Sequence, residues 1–226
     1  MSTQTINQTE TILEIIGRMA GDSMLIKHGI TWDEYEDLLD AIGESTGLRV
    51  SFDTGTLEIM TVSHKHEKYS TLIERMVDRL SSYLRLKVLF FGSATMKKQS
   101  QQKGVEPDAC FYVQNADLVG KKDELDFNND PPPDVVVEID LFHESLSKFP
   151  IYAALGVPEL WRYEKDRLTI YHLREGEYVP SEISQSLPLL DSALLTSFLR
   201  LTTTQDQYDI LLAFEEWLES HLPRVH

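Results

Sequence analysis

The run Asp134-Val135-Val136-Val137-Glu138-Ile139-Asp140 constrains the fold of this 226-residue chain more than any other stretch. Three valines and an isoleucine favour an extended strand, because branching at Cβ stiffens the side chain and suits a pleated surface. Pro131-Pro132-Pro133 holds the approach to it extended. Alternation places Val136, Glu138 and Asp140 on one face and Val135, Val137 and Ile139 on the other. A strand buried on both faces has no use for two carboxylates, so these acids mark either a site or a solvent-facing strand end.

Two neighbouring stretches give the acids company. Glu106-Pro107-Asp108 opens a second apolar strand, Ala109 to Val113. If the two strands are neighbours, their acids converge. A short helix is predicted from about Ser147 to Leu155. Pro150 is tolerated in its first turn, where the missing N–H has no intrahelical partner, and Gly156 stops it. Lys148, at the start of this helix, can point back to the strand end. Mg²⁺ prefers oxygen ligands and is held by a few carboxylates plus water, so Asp108, Glu138 and Asp140 are chemically suited to it. The plainer alternative has the aspartates meeting solvent and Glu138 paired with a lysine.

The rest of the chain supplies the scaffold. Glu10 to Ala20 has helical apolar spacing within an N-terminal arm, residues 1–30. Thr31-Trp32-Asp33-Glu34 is a capping box opening a helix that ends near Gly43. Two alternating runs flank Asp53-Thr54-Gly55, a hairpin signature. Ser63 to Leu86 reads as a long helix with Leu72, Ile73, Met76, Val77, Leu80 and Leu84 as its buried stripe. His64, His66 and Glu67 fall in its first turn; two histidines at this spacing could ligate a metal, but residues two apart on a helix point to different sides, so solvated side chains are the better reading. A strand follows over Val88 to Met96, a polar and locally basic turn over Lys97 to Gly104, a strand over Val105 to Val113 and an acidic loop over Asn115 to Asp130. Beyond the short helix, Glu159 to Tyr163 and Arg167 to Leu173 are strands around a turn, Leu187 to Leu201 is amphipathic, and Tyr208 to Leu222 is a final helix. The fold class this order predicts is α/β (α+β): a core with a mixed β-sheet flanked by helices, plus an N-terminal helix and hairpin and a C-terminal helix. Residues 31–200 form the expected domain, and 201–226 a C-terminal helix that packs on it or on a partner.

Composition excludes several function classes. No apolar run is long enough to span a membrane, and the N-terminus lacks a secretory pattern, so a cytoplasmic protein is expected. The single cysteine, Cys110, rules out an internal disulfide framework and a cysteine-based zinc site, and its apolar neighbours mark it as core. G-x-S-x-G, G-x-G-x-x-G, H-E-x-x-H and a phosphate-binding glycine loop are all missing, and with them any sign of an organic cofactor. Trp161, Tyr163 and Tyr171 alternate on their strands and read as packing residues. The net charge of −16 repels polyanions at long range.

Glu106-Pro107-Asp108, Glu138-Ile139-Asp140, Lys148, Tyr152 and Gly156-Val157-Pro158-Glu159-Leu160-Trp161 together resemble the Uma-type family of restriction-endonuclease-like proteins in the PD-(D/E)XK superfamily. The likeness runs from about Thr31 to Leu199 and is most specific between Pro132 and Trp161. It implies a restriction-endonuclease-like αβββαβ core with Mg²⁺ or Mn²⁺ bound between the two acid-bearing strands. Asp108 would match the first acid of the superfamily motif and Glu138 the second, with Asp140 a further ligand. Asp140 stands where the motif usually has lysine; Lys148 matches the lysine recurrent in the following helix of this family, and Lys98 is a second candidate for that charge. His66 or Glu67 matches a polar position on the long helix that faces the site. The activity implied is metal-dependent hydrolysis of DNA phosphodiester bonds, with DNA as partner; a homodimer is a separate expectation, tied to the binding or regulatory reading below. Two alternatives stand beside it: a catalytically silent nuclease fold serving binding or regulation, and a hydrolase of small phosphoesters.

Overall fold

The computed structural model describes residues 8–43, 47–122, 125–141 and 148–222. In chain order it forms α1 (Gln8–Ile16), β1 (Met24–His28), α2 (Trp32–Ile42), β2 (Leu48–Asp53), β3 (Thr56–Thr61), α3 (His64–Leu84), β4 (Leu89–Phe90), β5 (Met96–Lys98), β6 (Lys103–Val105) and β7 (Ala109–Tyr112). Then come α4 (Ala116–Val119), β8 (Val135–Asp140), α5 (Phe149–Leu155), β9 (Glu159–Glu164), β10 (Arg167–Arg174), β11 (Glu177–Ser181), α6 (Ser192–Arg200) and α7 (Gln207–His221).

Local chemistry sets the early elements as expected. Thr31 Oγ1 accepts the Glu34 amide at 3.2 Å, and Glu34 Oε2 accepts the Thr31 amide at 2.8 Å, closing the capping box of α2. The β2–β3 hairpin turns on Thr54 (φ 44°) and Gly55 (φ 90°), two left-handed residues that suit a tight hairpin and that glycine adopts without strain.

The mixed sheet expected of the core is present, and the N-terminal hairpin belongs to a second sheet beside it. One is five-stranded and antiparallel, in the order β1-β3-β2-β6-β5; the other is six-stranded, in the order β11-β10-β9-β8-β7-β4, with β8 and β9 parallel. The predicted strand over 88–96 fails at its own glycine: the chain turns at Gly92 (φ 54°), leaving β4 in the larger sheet and β5 in the smaller. The strand predicted over 105–113 likewise divides at Glu106-Pro107-Asp108, which carries the chain from β6 to β7. Proline has no amide to give a ladder there, and Glu106 uses its side chain as a cap, accepting from Val50 N at 2.9 Å and Thr95 Oγ1 at 2.7 Å. Strands β1 and β11 and the short α4 lie in stretches read as irregular. The predicted start of α5 at Ser147 lies outside the described residues.

Among the described residues, three large apolar layers hold the sheets and helices, with a fourth, small cluster around Tyr112, Ala116 and Val119. The largest lies between α3, α6, α7 and one face of the six-stranded sheet, and includes Leu72, Met76, Val135, Val137, Ile139, Trp161 and Phe214. Each such side chain, fully buried, contributes about 1.5–3 kcal/mol. The second lies between α1, α2 and the outer face of the small sheet, around Tyr35, Val50, Phe52, Leu57 and Ile59. The third joins the two sheets: Cys110, Val136 and Leu160 pack with Ile151 and Tyr152 of α5 and with Met96 and Val105 of the small sheet. Burial pushes the Cys110 thiol up to about 12, so it behaves as core.

Candidate active site

Alternation along β8 works as the sequence indicates. Val135, Val137 and Ile139 enter the α3 layer, and Val136 and Glu138 face α5. Strand β7 is the antiparallel neighbour of β8, with Ala109 opposite Val137, so Asp108 arrives beside Glu138. Asp108 is 5 % exposed and Glu138 4 % exposed. Buried carboxylates need partners, and each oxygen has one. Asp108 Oδ1 accepts from Arg49 Nε at 3.1 Å, and Oδ2 from the Ile139 amide at 2.8 Å. Glu138 Oε2 accepts from Lys148 Nζ at 2.7 Å, and Oε1 from the Tyr152 hydroxyl. Lys148 and Tyr152 are one helical turn apart, so α5 grips the carboxylate from one face.

The small sheet supplies the opposite wall. Val50 and Phe52 of β2 face α2, which turns Arg49 and Ser51 inward; Glu58 of β3 lies beside Ser51 and is 1 % exposed. Arg49 Nη2 also donates to Glu67 Oε1 of α3 at 2.8 Å, so one guanidinium ties both sheets and the long helix together.

Acids outweigh bases in this buried cluster, and the electrostatics record it. Burial pushes the Glu138 carboxyl up to about 7; Lys148 opposes the rise, and the carboxylates of Asp108 and Asp140 add to it. Lys148 moves the other way for an ion: burial alone would favour its neutral amine, but Glu138, Asp108 and Glu58 more than offset that and hold the ammonium charged. Burial raises Glu106 as well, against the donors Thr95 and Val50 and the nearby charges of Arg49 and Lys148.

The other expected residues fall as follows. Asp140 turns to Arg162 of β9, whose Nε lies 2.5 Å from Oδ2; Arg162 also meets Glu164 at 3.0 Å and covers the Phe149 ring. Lys98 is half-buried on β5 and makes none of the contacts that hold Asp108 or Glu138. Glu67 reaches Asp108 only through Arg49. The histidines divide: His64 is exposed, whereas His66, read as solvated, is 2 % exposed, with Nε2 3.3 Å from Asp108 Oδ2. The first turn of α3 packs against the strand crossing, which the helical pattern alone does not reveal. Arg49 and Glu58 were missed, because a charged residue in an alternating hairpin reads as solvent-facing until a second sheet covers it. Tyr152 had a signal, its position four residues after Lys148.

Oxygen chemistry suits a divalent ion. A carboxylate oxygen carries two lone pairs, so Asp108 and Glu138 keep acceptor capacity beyond the donors described, and Mg²⁺ is commonly held by one or two carboxylates with waters. Among the described residues, no group of three or more His, Cys, Asp and Glu side chains is arranged to hold a metal ion. Asp108 and Glu138 would therefore be its principal protein ligands.

The Uma2 family profile, described as "Putative restriction endonuclease", matches residues 32–204. The chain belongs to the Uma2 family. A crystal structure described as a putative nuclease belonging to DUF820, from Anabaena variabilis, is similar in fold: TM-score 0.50 at 16 % identity, covering 75 % of this chain and 99 % of that one. No curated protein matches. The fold is thus restriction-endonuclease-like, with Uma2 membership covering the strands that bring Asp108 and Glu138 together and the helix that follows. No helix among the described residues is long and apolar enough to cross a membrane.

Proposed function

We propose that this Uma2 protein is a divalent-metal-dependent nuclease that hydrolyses phosphodiester bonds of DNA. The observation that carries the reading is the pair of buried carboxylates on neighbouring strands, Asp108 and Glu138, with the Lys148 ammonium 2.7 Å from Glu138. Family membership supports it. Asp108 and Glu138 would hold Mg²⁺ or Mn²⁺, which supplies an acidified water and offsets charge on phosphoryl oxygens. Arg49 and the Ile139 amide orient Asp108, and Tyr152 orients Glu138. Lys148 supplies, from the start of α5, the positive charge that Asp140 cannot, and stabilises negative charge developing on the phosphoryl group.

The net charge of −16 favours one second reading, hydrolysis of small phosphodiesters, whose encounter is opposed less by long-range repulsion. One experiment separates the outcomes. Wild type, Asp108→Asn and Glu138→Gln are incubated with Mg²⁺ or Mn²⁺ and with plasmid, single-stranded DNA or bis(p-nitrophenyl) phosphate. Metal-dependent DNA cleavage by wild type, absent from both variants, is expected. Turnover of the small ester alone would replace DNA as substrate. Inactivity of wild type with every metal and substrate, or activity equal in all three proteins, would overturn the nuclease reading and leave a silent fold used for binding.

A further inference from the structure

On the face of the large sheet that α5 covers, the register of β8 with β9 sets Arg162 beside Glu138, and that of β9 with β10 sets Thr169 beside Arg162. Neighbouring strands run about 4.8 Å apart, so Asp108, Glu138 and Arg162 form a row of adjacent side chains. Exposure rises along it: the side chains of Asp108, Glu138 and Arg162 are 0 %, 6 % and 24 % exposed. Lys148 is as covered as Glu138. On the side of Asp108 the group open to solvent is Glu67, at 40 %, whose charge repels a phosphate. A phosphodiester therefore approaches Glu138 and Lys148 from the β9 side, over Arg162.

Arg162 is anchored where it stands. Asp140 accepts from its Nε at 2.5 Å, Glu164 Oε2 lies 3.0 Å from Nη2, and the guanidinium lies over the Phe149 ring, 5.9 Å from the centroid. Asp140 and Glu164 are themselves register partners two residues further along β8 and β9, so the strand pairing that sets Arg162 beside Glu138 also sets its anchors. A guanidinium carries five N–H donors in a fixed plane, and these contacts engage Nε and Nη2 only. Its remaining donors suit phosphate oxygens, and an arginine already held in place loses little freedom on binding them. We propose that Arg162 binds the phosphate adjoining the scissile one on a nucleic acid strand, with Asp140 and Glu164 as the positioning residues that aim it. This rests on the nuclease reading above and adds to it a substrate with more than one phosphate. Two carboxylates beside one guanidinium leave the trio net negative, so Arg162 recognises through directed hydrogen bonds and not through excess charge.

Steady-state kinetics of the full chain test this, with the metal that supports wild-type cleavage and two substrates: a labelled DNA oligonucleotide, and a thymidine dinucleotide whose single phosphodiester has no neighbour. Arg162→Met should raise KM for the oligonucleotide on the order of tenfold with kcat unchanged, the mark of lost uniform binding. It should also reduce the slope of log KM against log salt by about one, the share of a single phosphate contact. Turnover of the dinucleotide should not change; if wild type does not cut it, the salt slope decides. Unchanged KM and salt slope would overturn the assignment and leave the nuclease reading intact. An equal loss of kcat/KM on both substrates would overturn it as well, because Arg162 would then serve the scissile group or the fold. Glu164→Gln, at a half-exposed position, keeps the test alive should Arg162→Met not fold. It frees a donor and should lower KM for the oligonucleotide more than Asp37→Asn, the same charge change on the exposed side of α2; equal effects would refute the proposal. Absence of any wild-type cleavage would remove the nuclease reading and the proposal together.

Discussion

Replacing Lys148 by Met removes the ammonium that faces Glu138 while keeping most of the apolar stem. Both side chains are 6 % exposed, so the substitution strands a buried carboxylate; breaking such a pair costs about 3–5 kcal/mol when the remaining charge stays ionised. Glu138 has an escape, which is to bind a proton. Its carboxyl is already raised from 4.5 to about 7 with Lys148 present, a difference of roughly 3 kcal/mol between folded and unfolded chains. The unfolded chain releases this proton near pH 4.5 and the folded chain only near pH 7. The contribution of Glu138 to stability is therefore greatest below pH 4.5, falls as pH rises between those values, and is level above about 7. Without Lys148 the folded value moves higher and the decline continues into alkaline solution. The expected cost of Lys148→Met is small near pH 6, grows by about 1.4 kcal/mol per pH unit above neutrality, and approaches the full penalty near pH 9. Urea unfolding of both proteins from about pH 6 to 9, with chelator present, measures it. Adding Glu138→Leu should restore most of the loss, because removing both charges removes the stranded one. An equal cost at both ends of the pH range, or a double variant no more stable than the single, would refute the reasoning.

Other substitutions test the frame. Arg49→Met should destabilise by about 3–5 kcal/mol in thermal or urea unfolding, because it strips a buried donor from Asp108 and disconnects Glu67. Gly104→Ala would set a Cβ 2.1 Å from the buried Tyr35 hydroxyl, so it should cost about 1–3 kcal/mol or more; Tyr35→Phe in the same protein should return only part, since ring carbons also crowd the position. Tyr35→Phe alone should leave Tm unchanged or raise it, because the hydroxyl it deletes is buried without a partner. Thr31→Ala should lower stability by about 1 kcal/mol through loss of the capping box, seen as a lower urea midpoint at unchanged slope.

Signals confined to a few adjacent residues could be read directly from the chain. The capping box at Thr31, the hairpin at Thr54-Gly55, the stripe of α3 and the division of β8 into two faces each follow from neighbours in sequence. So did the Lys148–Glu138 pair, since a helix start soon after a strand end brings the two within reach. The second sheet was not legible. Whether β5 and β6 extend the strands near them or pair with β2 depends on contacts some fifty residues away, such as Ser51 with Val105. Arg49 was missed and His66 misread for the same reason: their burial is conferred by the other sheet and by the crossing between sheets, not by their own flanking residues.

The crossing Glu106-Pro107-Asp108 has a mechanical consequence. Glu106 is bonded into the small sheet through Val50 and Thr95, and Asp108 into the large one through Ile139, with one rigid proline between. Sliding one sheet over the other must therefore drag the Asp108 carboxylate with it. The pairs of Arg49 with Asp108 and Glu67 likewise form only where the two sheets meet. Under the proposed nuclease reading, catalytic rate would therefore double as a gauge of how the two halves of the molecule are seated.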